Sequence, residues 1–203
     1  MITFEKLANR ILLNKVEVEV GVEGESIAHQ SDDLQFLEKS IPKLWKWIQF
    51  IAKSQKSVLN NGYKWFGRNE HHCLSSGLDD TPRHTIVSEM ESHVDLVAWL
   101  TYSYKVLSKM EYRLHGETPF FKEVDGLYQE LHNELLTKYW DETKNCFGDL
   151  GLVGKDEVGF ETHLSYISIL PFSLMLLDEE DPRISKILDV IENPEMVRLL
   201  RKE

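Results

Sequence analysis

Residues Trp65 to Trp99 read WFGRNEHHCLSSGLDDTPRHTIVSEMESHVDLVAW, and they join a loop signal to a helix signal. At the centre, Asp79 and Asp80 stand between Gly77 and Pro82. Glycine and proline both disfavour the interior of a helix or of a central strand, so this centre is predicted to be a loop. Two adjacent acids are also typical of an ordinary turn followed by a helix N-cap, and the spacing alone leaves both interpretations open.

More acids follow the loop. Glu91 and Asp95 are four positions apart, which predicts that they share one face of a helix over 87–113, with His93 between them and off that face. Carboxylates perform acid and base chemistry, and indole rings such as that of Trp65 stack on the apolar faces of pyranose rings. The stretch is therefore a candidate sugar site, although a solvated helix face would show the same spacing.

Hydrophobic spacing on both sides of this stretch predicts a mostly helical protein. Asp32 or Asp33 is expected to cap the helix that comes before it, after a polar loop over 24–31, and the glycine-rich residues 145–155 are expected to be a connection. Strict alternation of valine with polar residues predicts one strand over 16–23. The predicted helices cover 1–13, 32–53, 87–113, 119–140, 164–177, a helix opening at 181–182, and a short one from 194.

The overall composition is that of an acidic globular protein. The chain has 203 residues, 42% of them hydrophobic and 28% charged, and a net charge of −11, which argues against a general nucleic-acid surface. No apolar run approaches the ~20 residues that span a bilayer, and the N-terminus lacks the features of a signal peptide, so no membrane contact by the chain itself is expected. Two cysteines, Cys73 and Cys146, could form one disulfide, but two free, partly buried thiols are the favoured interpretation.

Several motifs of the central stretch, in order, resemble the processing α-glucosidases I (mannosyl-oligosaccharide glucosidases) of glycoside hydrolase family 63. The resemblance covers roughly Leu34 to Glu195, and it departs from the family at Thr81, where an aromatic residue is usual, and at Ser92, where arginine is frequent. The motifs that carry it are Trp65, Gly67-Arg68-Asn69, Leu74 to Arg83, Glu91 to Leu96 and Trp99, followed by a second block with Gly159-Phe160, His163 to Ser168, Pro171-Phe172 and Leu188 to Pro194.

The resemblance implies an all-α fold, a partial (α/α)6 toroid of helical hairpins with one short N-terminal β element. Residues 1–30 are then an unassigned N-terminal segment, and residues 31–203 are part of the catalytic domain. The motif that carries the family's catalytic base has no counterpart in this chain, and neither Glu157 nor Glu161 is assigned that role. We therefore expect the chain to be a fragment of the catalytic domain.

The resemblance also implies the roles of the site residues. Asp79 matches the general acid of an inverting enzyme, and partial burial beside other carboxylates is expected to keep it protonated. Asp80 and Arg83 would fix the loop or bind sugar hydroxyls. The other matches are Glu91 and Asp95, which would support the acid and hold the glucose ring, Trp65 and Arg68, which would line the glucose pocket, and His93, which would be structural or contact substrate. No metal and no cofactor is expected.

The substrate implied is the triglucosylated N-glycan precursor, from which the terminal α(1→2)-linked glucose is removed. The partner is then a glucosylated high-mannose N-glycan on a nascent glycoprotein, in the lumen of the endoplasmic reticulum. Two alternatives remain from the residues themselves. One is a catalytically incomplete fragment that binds glucosylated glycan without hydrolysis, and the other is another inverting (α/α)6 glycosidase, such as a trehalase relative.

Overall fold

Three long helices form the centre of the protein, whose computed structural model describes residues 25–59, 62–160 and 163–193. They are α1 (Glu25–Ser54), α2 (Val94–His115) and α3 (Pro119–Lys138). Helix α2 packs against both of the others, and residues along it such as Leu96, Leu107 and Met110 are almost wholly buried. Because apolar residues surround most of α2, this helix lies inside the core.

The two flanking helices each bury one stripe and expose the opposite face. Helix α1 buries Leu37, Ile41 and Ile48, and α3 buries Val124, Leu131 and Leu135. A glycine and a proline lie at the boundary between α2 and α3. Gly116 ends α2 with a left-handed φ of 72°, and the Thr118 hydroxyl accepts a hydrogen bond from the Phe121 amide, with Pro119 in the first turn of α3.

Two small antiparallel hairpins follow α3. Strand β1 (Trp140–Asp141) pairs with β2 (Cys146–Phe147), and β3 (Leu150–Leu152) pairs with β4 (Val158–Phe160), so that Gly151 lies opposite Gly159. A 3-10 turn (Tyr166–Ile169) then leads into the one-turn helix α4 (Leu170–Ser173), and α5 (Arg183–Glu192) completes the described part of the chain.

The start of α1 differs from the prediction. The helix begins at Glu25, so the loop predicted over 24–31 is wrong for residues 25–31, and neither Asp32 nor Asp33 is an N-cap. Residues of this segment such as Ala28 and Gln30 are good helix formers, and an aspartate that can cap a helix does not have to end one. The predicted domain boundary at residue 31 falls inside this helix.

The start of α2 was also predicted too early. Residues 87–93 are not helical, because their backbone groups bond elsewhere: Ser92 exchanges two hydrogen bonds with Leu150, and the His93 amide donates to the Tyr63 carbonyl. Glu91 therefore precedes the helix that contains Asp95. The prediction that these two acids share one helix face is wrong.

The region after α3 holds more β structure than predicted. Trp140 belongs to β1 rather than to a helix, and the predicted connection over 145–155 contributes to both hairpins. The helix predicted over 164–177 is instead the 3-10 turn and α4, and Pro171, which lacks an amide hydrogen, lies in the first turn of α4. The prediction of a helix near Asp181 and Pro182 is confirmed by α5.

The expectation of a mostly helical protein is confirmed, with five α-helices in the described ranges. Cys73 and Cys146 are both buried and free, as favoured. The strand predicted over 16–23 and the helices predicted over 1–13 and from 194 lie outside the described residues. In the ranges that are described, no helix has both the length and the apolar character that crossing a membrane requires.

Candidate functional site

Three extended segments meet at the N-terminus of α2. The Tyr63 amide donates to the Ser92 hydroxyl, and the Tyr63 carbonyl accepts from the His93 amide. Ser92 and Leu150 are joined by two backbone hydrogen bonds. The packing is close, because a Cβ atom on Gly62 would lie 1.9 Å from the Ser92 hydroxyl oxygen. The segments that carry Trp65, Glu91 and the β3 hairpin are therefore held together at one end of the core.

Arg68, Glu91 and His93 form the first part of the site. The Glu91 carboxylate accepts hydrogen bonds from the Arg68 Nε and the Ser88 amide, and its Oε2 lies 3.0 Å from His93 Nε2. The side chains of Glu91 and Arg68 are only 2% and 5% exposed. Arg68 also donates to the His84 carbonyl, so its guanidinium joins two segments of the loop region.

The hydrogen bonds around His93 assign its tautomer. The Trp65 amide donates to His93 Nδ1 over 2.9 Å, so Nδ1 carries a lone pair and the hydrogen is on Nε2, which donates to Glu91. His93 is 1% exposed. Of the two roles expected for it, a structural one fits this neutral, buried ring.

Glu91 is held in its charged form. Burial acts to raise its pKa, but the hydrogen bonds from His93, Arg68 and the Ser88 amide outweigh burial and lower the pKa to about 2. A carboxylate this acidic stays ionised at physiological pH. Glu91 therefore orients its neighbours and is not a proton donor.

Trp65, Arg83 and Asp95 form the second part of the site. The Arg83 guanidinium meets Asp95 with two parallel hydrogen bonds of 3.1 and 2.7 Å, and Asp95 Oδ2 also accepts from the Trp65 indole nitrogen at 2.9 Å. Asp95 is 0% exposed. Burial acts to raise its pKa, but the Arg83 charge and hydrogen bonds hold the pKa below its usual range.

Sequence reasoning missed Asp149, which completes this cluster. Asp149 precedes β3, is 0% exposed, and accepts from Arg83 Nη1 over 2.7 Å. Asp149 lies between Gly148 and Leu150 in the glycine-rich stretch that was predicted to be a connection between elements. The signal available in the sequence was a single acid among apolar residues, and nothing in it identified Arg83 as the partner.

Asp79 and Asp80 lie apart from these buried groups. Both are exposed, on a loop in which a 3-10 turn (Leu74–Ser76) ends at Gly77 with a left-handed φ of 71°. Asp79 accepts a bond from the Cys73 amide through its backbone carbonyl, and the Asp80 carboxylate lies 3.7 Å from His72 Nδ1. The expectation that Asp79 is partly buried beside carboxylates is therefore wrong for this structure.

A cavity of about 360 Å³ opens beside the first part of the site. Its lining includes Trp65, Arg68 and Glu91 together with Lys64 and Glu89. It thus combines aromatic surface with charges of both signs. In the described ranges, no group of three His, Cys, Asp or Glu residues is placed to hold a metal ion.

The structure thus brings six of the eight predicted site residues into one hydrogen-bonded network and leaves two on the exposed loop. The network runs without a break from Arg68 through Glu91, His93, Trp65 and Asp95 to Arg83. Arg83, three residues after Asp80, connects the exposed loop to the buried network.

Comparison with known proteins identifies the family of this site. Residues 1–198 match the glycosyl hydrolase family 63 C-terminal domain. The mannosyl-oligosaccharide glucosidase of Saccharomyces cerevisiae is 27% identical over 80% of this chain, the probable mannosyl-oligosaccharide glucosidase of Schizosaccharomyces pombe 30% over 83%, and that of Arabidopsis thaliana 29% over 82%. The chain spans 22%, 22% and 24% of the lengths of these relatives. Because the family match covers nearly every residue, the chain belongs to glycosyl hydrolase family 63.

Proposed function

We propose that this chain supplies the acid side of an inverting glycoside hydrolase that acts in N-glycan processing. The observation that carries the proposal is the unbroken buried network from Arg68 to Arg83, next to a cavity that Trp65 lines. A pyranose ring needs an aromatic surface for its apolar face and fixed polar groups for its hydroxyls, and this arrangement offers both. Family membership and the names of the relatives support the class of reaction.

Asp79 is the proposed general acid. In an inverting mechanism, a carboxylic acid protonates the leaving oxygen while a carboxylate roughly 6.5–9.5 Å away activates a water on the opposite face of the sugar. The exposed position of Asp79 leaves its carboxyl accessible to a substrate, and Arg83 joins its loop to the buried network. No described residue is assigned as the base: Glu157 is exposed near β4, and Glu161 lies outside the described residues.

The remaining residues have supporting roles in the proposal. Trp65 presents a ring to the glucose, while Arg68, already bonded to Glu91 and His84, shapes the cavity and keeps its charge there. Glu91 and Asp95 act as fixed anions that orient their donors. Asp80 is the side chain of the loop that is available to bind a sugar hydroxyl.

The finer points of the proposal come from the family. The substrate is the triglucosylated N-glycan of a nascent glycoprotein, and the bond cleaved is that of its terminal α(1→2)-linked glucose. The reaction takes place in the lumen of the endoplasmic reticulum, and the helices of this chain form part of an (α/α)6 ring. The helical architecture and the names of the relatives support this version of the proposal.

Release of β-glucose from a triglucosylated high-mannose oligosaccharide tests the proposal. We expect the wild-type chain to release it when it is joined to the base-bearing part of a family 63 catalytic domain. In that assay Asp79→Asn should lower the rate roughly a hundredfold or more, and Asp156→Asn, at another exposed aspartate near β4, should leave the rate unchanged. Equal rates for Asp79→Asn and wild type would contradict the role of Asp79. Hydrolysis of trehalose in place of the oligosaccharide would point to a trehalase relative.

A second candidate function is glycan binding without hydrolysis. It is favoured by one observation, that no acid in the described residues is assigned the part of the base. Calorimetric binding of the same oligosaccharide by the wild-type chain, with no glucose released even when the base-bearing part is joined to it, would establish it in place of the enzyme.

A further inference from the structure

The two carboxylate oxygens of Asp149 accept hydrogen bonds from two different parts of the fold. Oδ1 accepts a hydrogen bond of 2.7 Å from the Val94 amide, the first residue of α2, and Oδ2 accepts one of 2.7 Å from Arg83 Nη1. Its backbone carbonyl lies 3.2 Å from His84 Nε2. One fully buried residue thus joins the N-terminus of the core helix to the end of the loop that carries Asp79.

The chemistry at this position requires a carboxylate. Both partners are donors, so the side chain must offer two acceptor atoms, and an asparagine offers one acceptor and one donor. A negative charge is also favoured there, since it faces the positive end of a helix and a guanidinium. Burial acts to lower the pKa of Arg83, but the charges of Asp149 and Asp95 outweigh it and raise the pKa.

The contacts of Arg83 extend the influence of Asp149 to the site. The same guanidinium that Asp149 holds also makes the two parallel bonds to Asp95, and Asp95 accepts from the Trp65 indole. The position of the indole therefore depends on Asp149 through Arg83 and Asp95. These hydrogen bonds are direct, and the Arg83 and Asp95 side chains are only 2% and 1% exposed.

We infer that Asp149 is a positioning residue that orients the Trp65 indole and fixes the end of the Asp79 loop, both through Arg83. The importance of Asp149 for catalysis rests on the proposed function. The orienting contact itself is a property of the fold and can be measured without any substrate.

The test compares Asp149→Asn with Asp141→Asn in the whole chain. Asp141 is a suitable control, because it is also buried (7% exposed) and, among the residues that the structure describes, its Oδ1 bonds within its own turn, to Thr143. The chain has five tryptophans, and Trp65→Phe assigns the Trp65 indole resonance in a ¹H–¹⁵N spectrum. We expect Asp149→Asn to move this resonance and Asp141→Asn to leave it in place. An unmoved resonance in Asp149→Asn would overturn the inference, whatever happens to activity.

A second variant covers the case in which Asp149→Asn does not fold. Arg83→Lys keeps a positive charge but cannot make the two parallel bonds, so it must also move the Trp65 resonance. If it does not, the link through Arg83 is wrong. In Arg83→Lys chains that fold, adding Asp149→Asn should cause little further movement.

Activity gives a separate result. We expect Asp149→Asn to lower kcat/KM for glucose release roughly ten- to a hundredfold, as misplacement of a supporting group does, and Asp141→Asn to leave it unchanged. A wild-type chain that neither releases nor binds glucose-terminated oligosaccharide would overturn the proposed function, while the indole measurement would still decide the inference about Asp149. Unchanged kcat/KM in an active Asp149→Asn chain would show that its position does not matter for the reaction.

Discussion

The buried network and the exposed loop belong to the same stretch of sequence but are held in different ways. Glu91 and Asp95 are 1% and 0% exposed. Glu91 accepts a hydrogen bond from Arg68, 23 positions away, and Asp95 accepts from Arg83 and Trp65, 12 and 30 positions away. Asp79 and Asp80 are exposed, and the loop bonds around them are local. The stretch from Trp65 to Trp99 therefore joins a rigid half, the buried network, to an accessible half, the exposed loop, which in the proposed function meets the substrate.

The largest difference between the two halves is expected in stability. Asp95→Ala removes one of the two carboxylate partners of the buried Arg83 guanidinium and the acceptor of the Trp65 indole nitrogen, which should lower the free energy of unfolding by about 3–4 kcal/mol. Asp80→Ala, at a side chain that is 93% exposed, should change it by less than about 0.5 kcal/mol. Urea unfolding of the two variants measures both values. Equal losses would show that the loop is held as firmly as the network.

Two glycines offer the next test: Gly62, which packs against Ser92 beside the buried network, and Gly77 in the exposed loop. Gly62→Ala would place a Cβ atom 1.9 Å from the Ser92 hydroxyl and 2.5 Å from that of Tyr139, so the packed segments must separate, at a cost of about 3 kcal/mol. Gly77→Ala meets no neighbouring atom and strains only its left-handed backbone, which costs about 1 kcal/mol.

Gly126→Ala serves as the control for both glycines, because this glycine lies within α3, has no atom near its missing Cβ, and should gain up to about 1 kcal/mol from helix propensity. Thermal or urea unfolding ranks the three variants. If Gly62→Ala is as stable as Gly77→Ala, the three segments at the N-terminus of α2 pack less closely than described.

The sequence predicted most of the helices and most members of the network, but not the contrast between the two halves. The helices were predicted because apolar residues recur along them, and the site residues because their motifs fall in order. The start of α2 was missed because hydrogen bonds from Ser92 and His93 to residues distant in the sequence override local helix propensity. Asp149 was missed for the same reason, since its partners Val94 and Arg83 are 55 and 66 positions away.

The burial of Asp79 was inferred from chemistry rather than from any pattern in its neighbours. A general acid needs a raised pKa, and burial is one way to raise it. The residues around Asp79 are glycine, proline and polar side chains, which are typical of a surface turn. The local sequence therefore predicted the loop correctly. The expectation that Asp79 is buried came from the proposed mechanism, and it was wrong.

The smallest effect concerns the charge on Glu91, and it shows whether the rigid half is held by electrostatics. Because the pKa of Glu91 falls from its ordinary value of 4.5 to about 2 in the folded chain, the unfolded chain takes up a proton first as the pH falls. The stability that Glu91 contributes is thus complete above about pH 4.5 and disappears as the pH approaches 2. The whole shift corresponds to about 3 kcal/mol, and screening by solvent in the cavity that Glu91 lines reduces the expected size to on the order of 2 kcal/mol.

Glu91→Gln keeps the shape of the side chain but removes its charge and one of the two acceptors that Ser88, Arg68 and His93 bond. The lost acceptor costs stability at every pH, so the part of the difference that depends on pH reports the charge. At pH 7 the free energy of unfolding should be larger for the wild-type chain than for Glu91→Gln. Measured down to pH 3, this difference should shrink below about pH 4.5. Two curves that stay parallel over this range would mean that Glu91 acts through its shape and hydrogen bonds alone. The rigid half of the site would then owe its order to packing, and its resistance to acid would come from elsewhere in the chain.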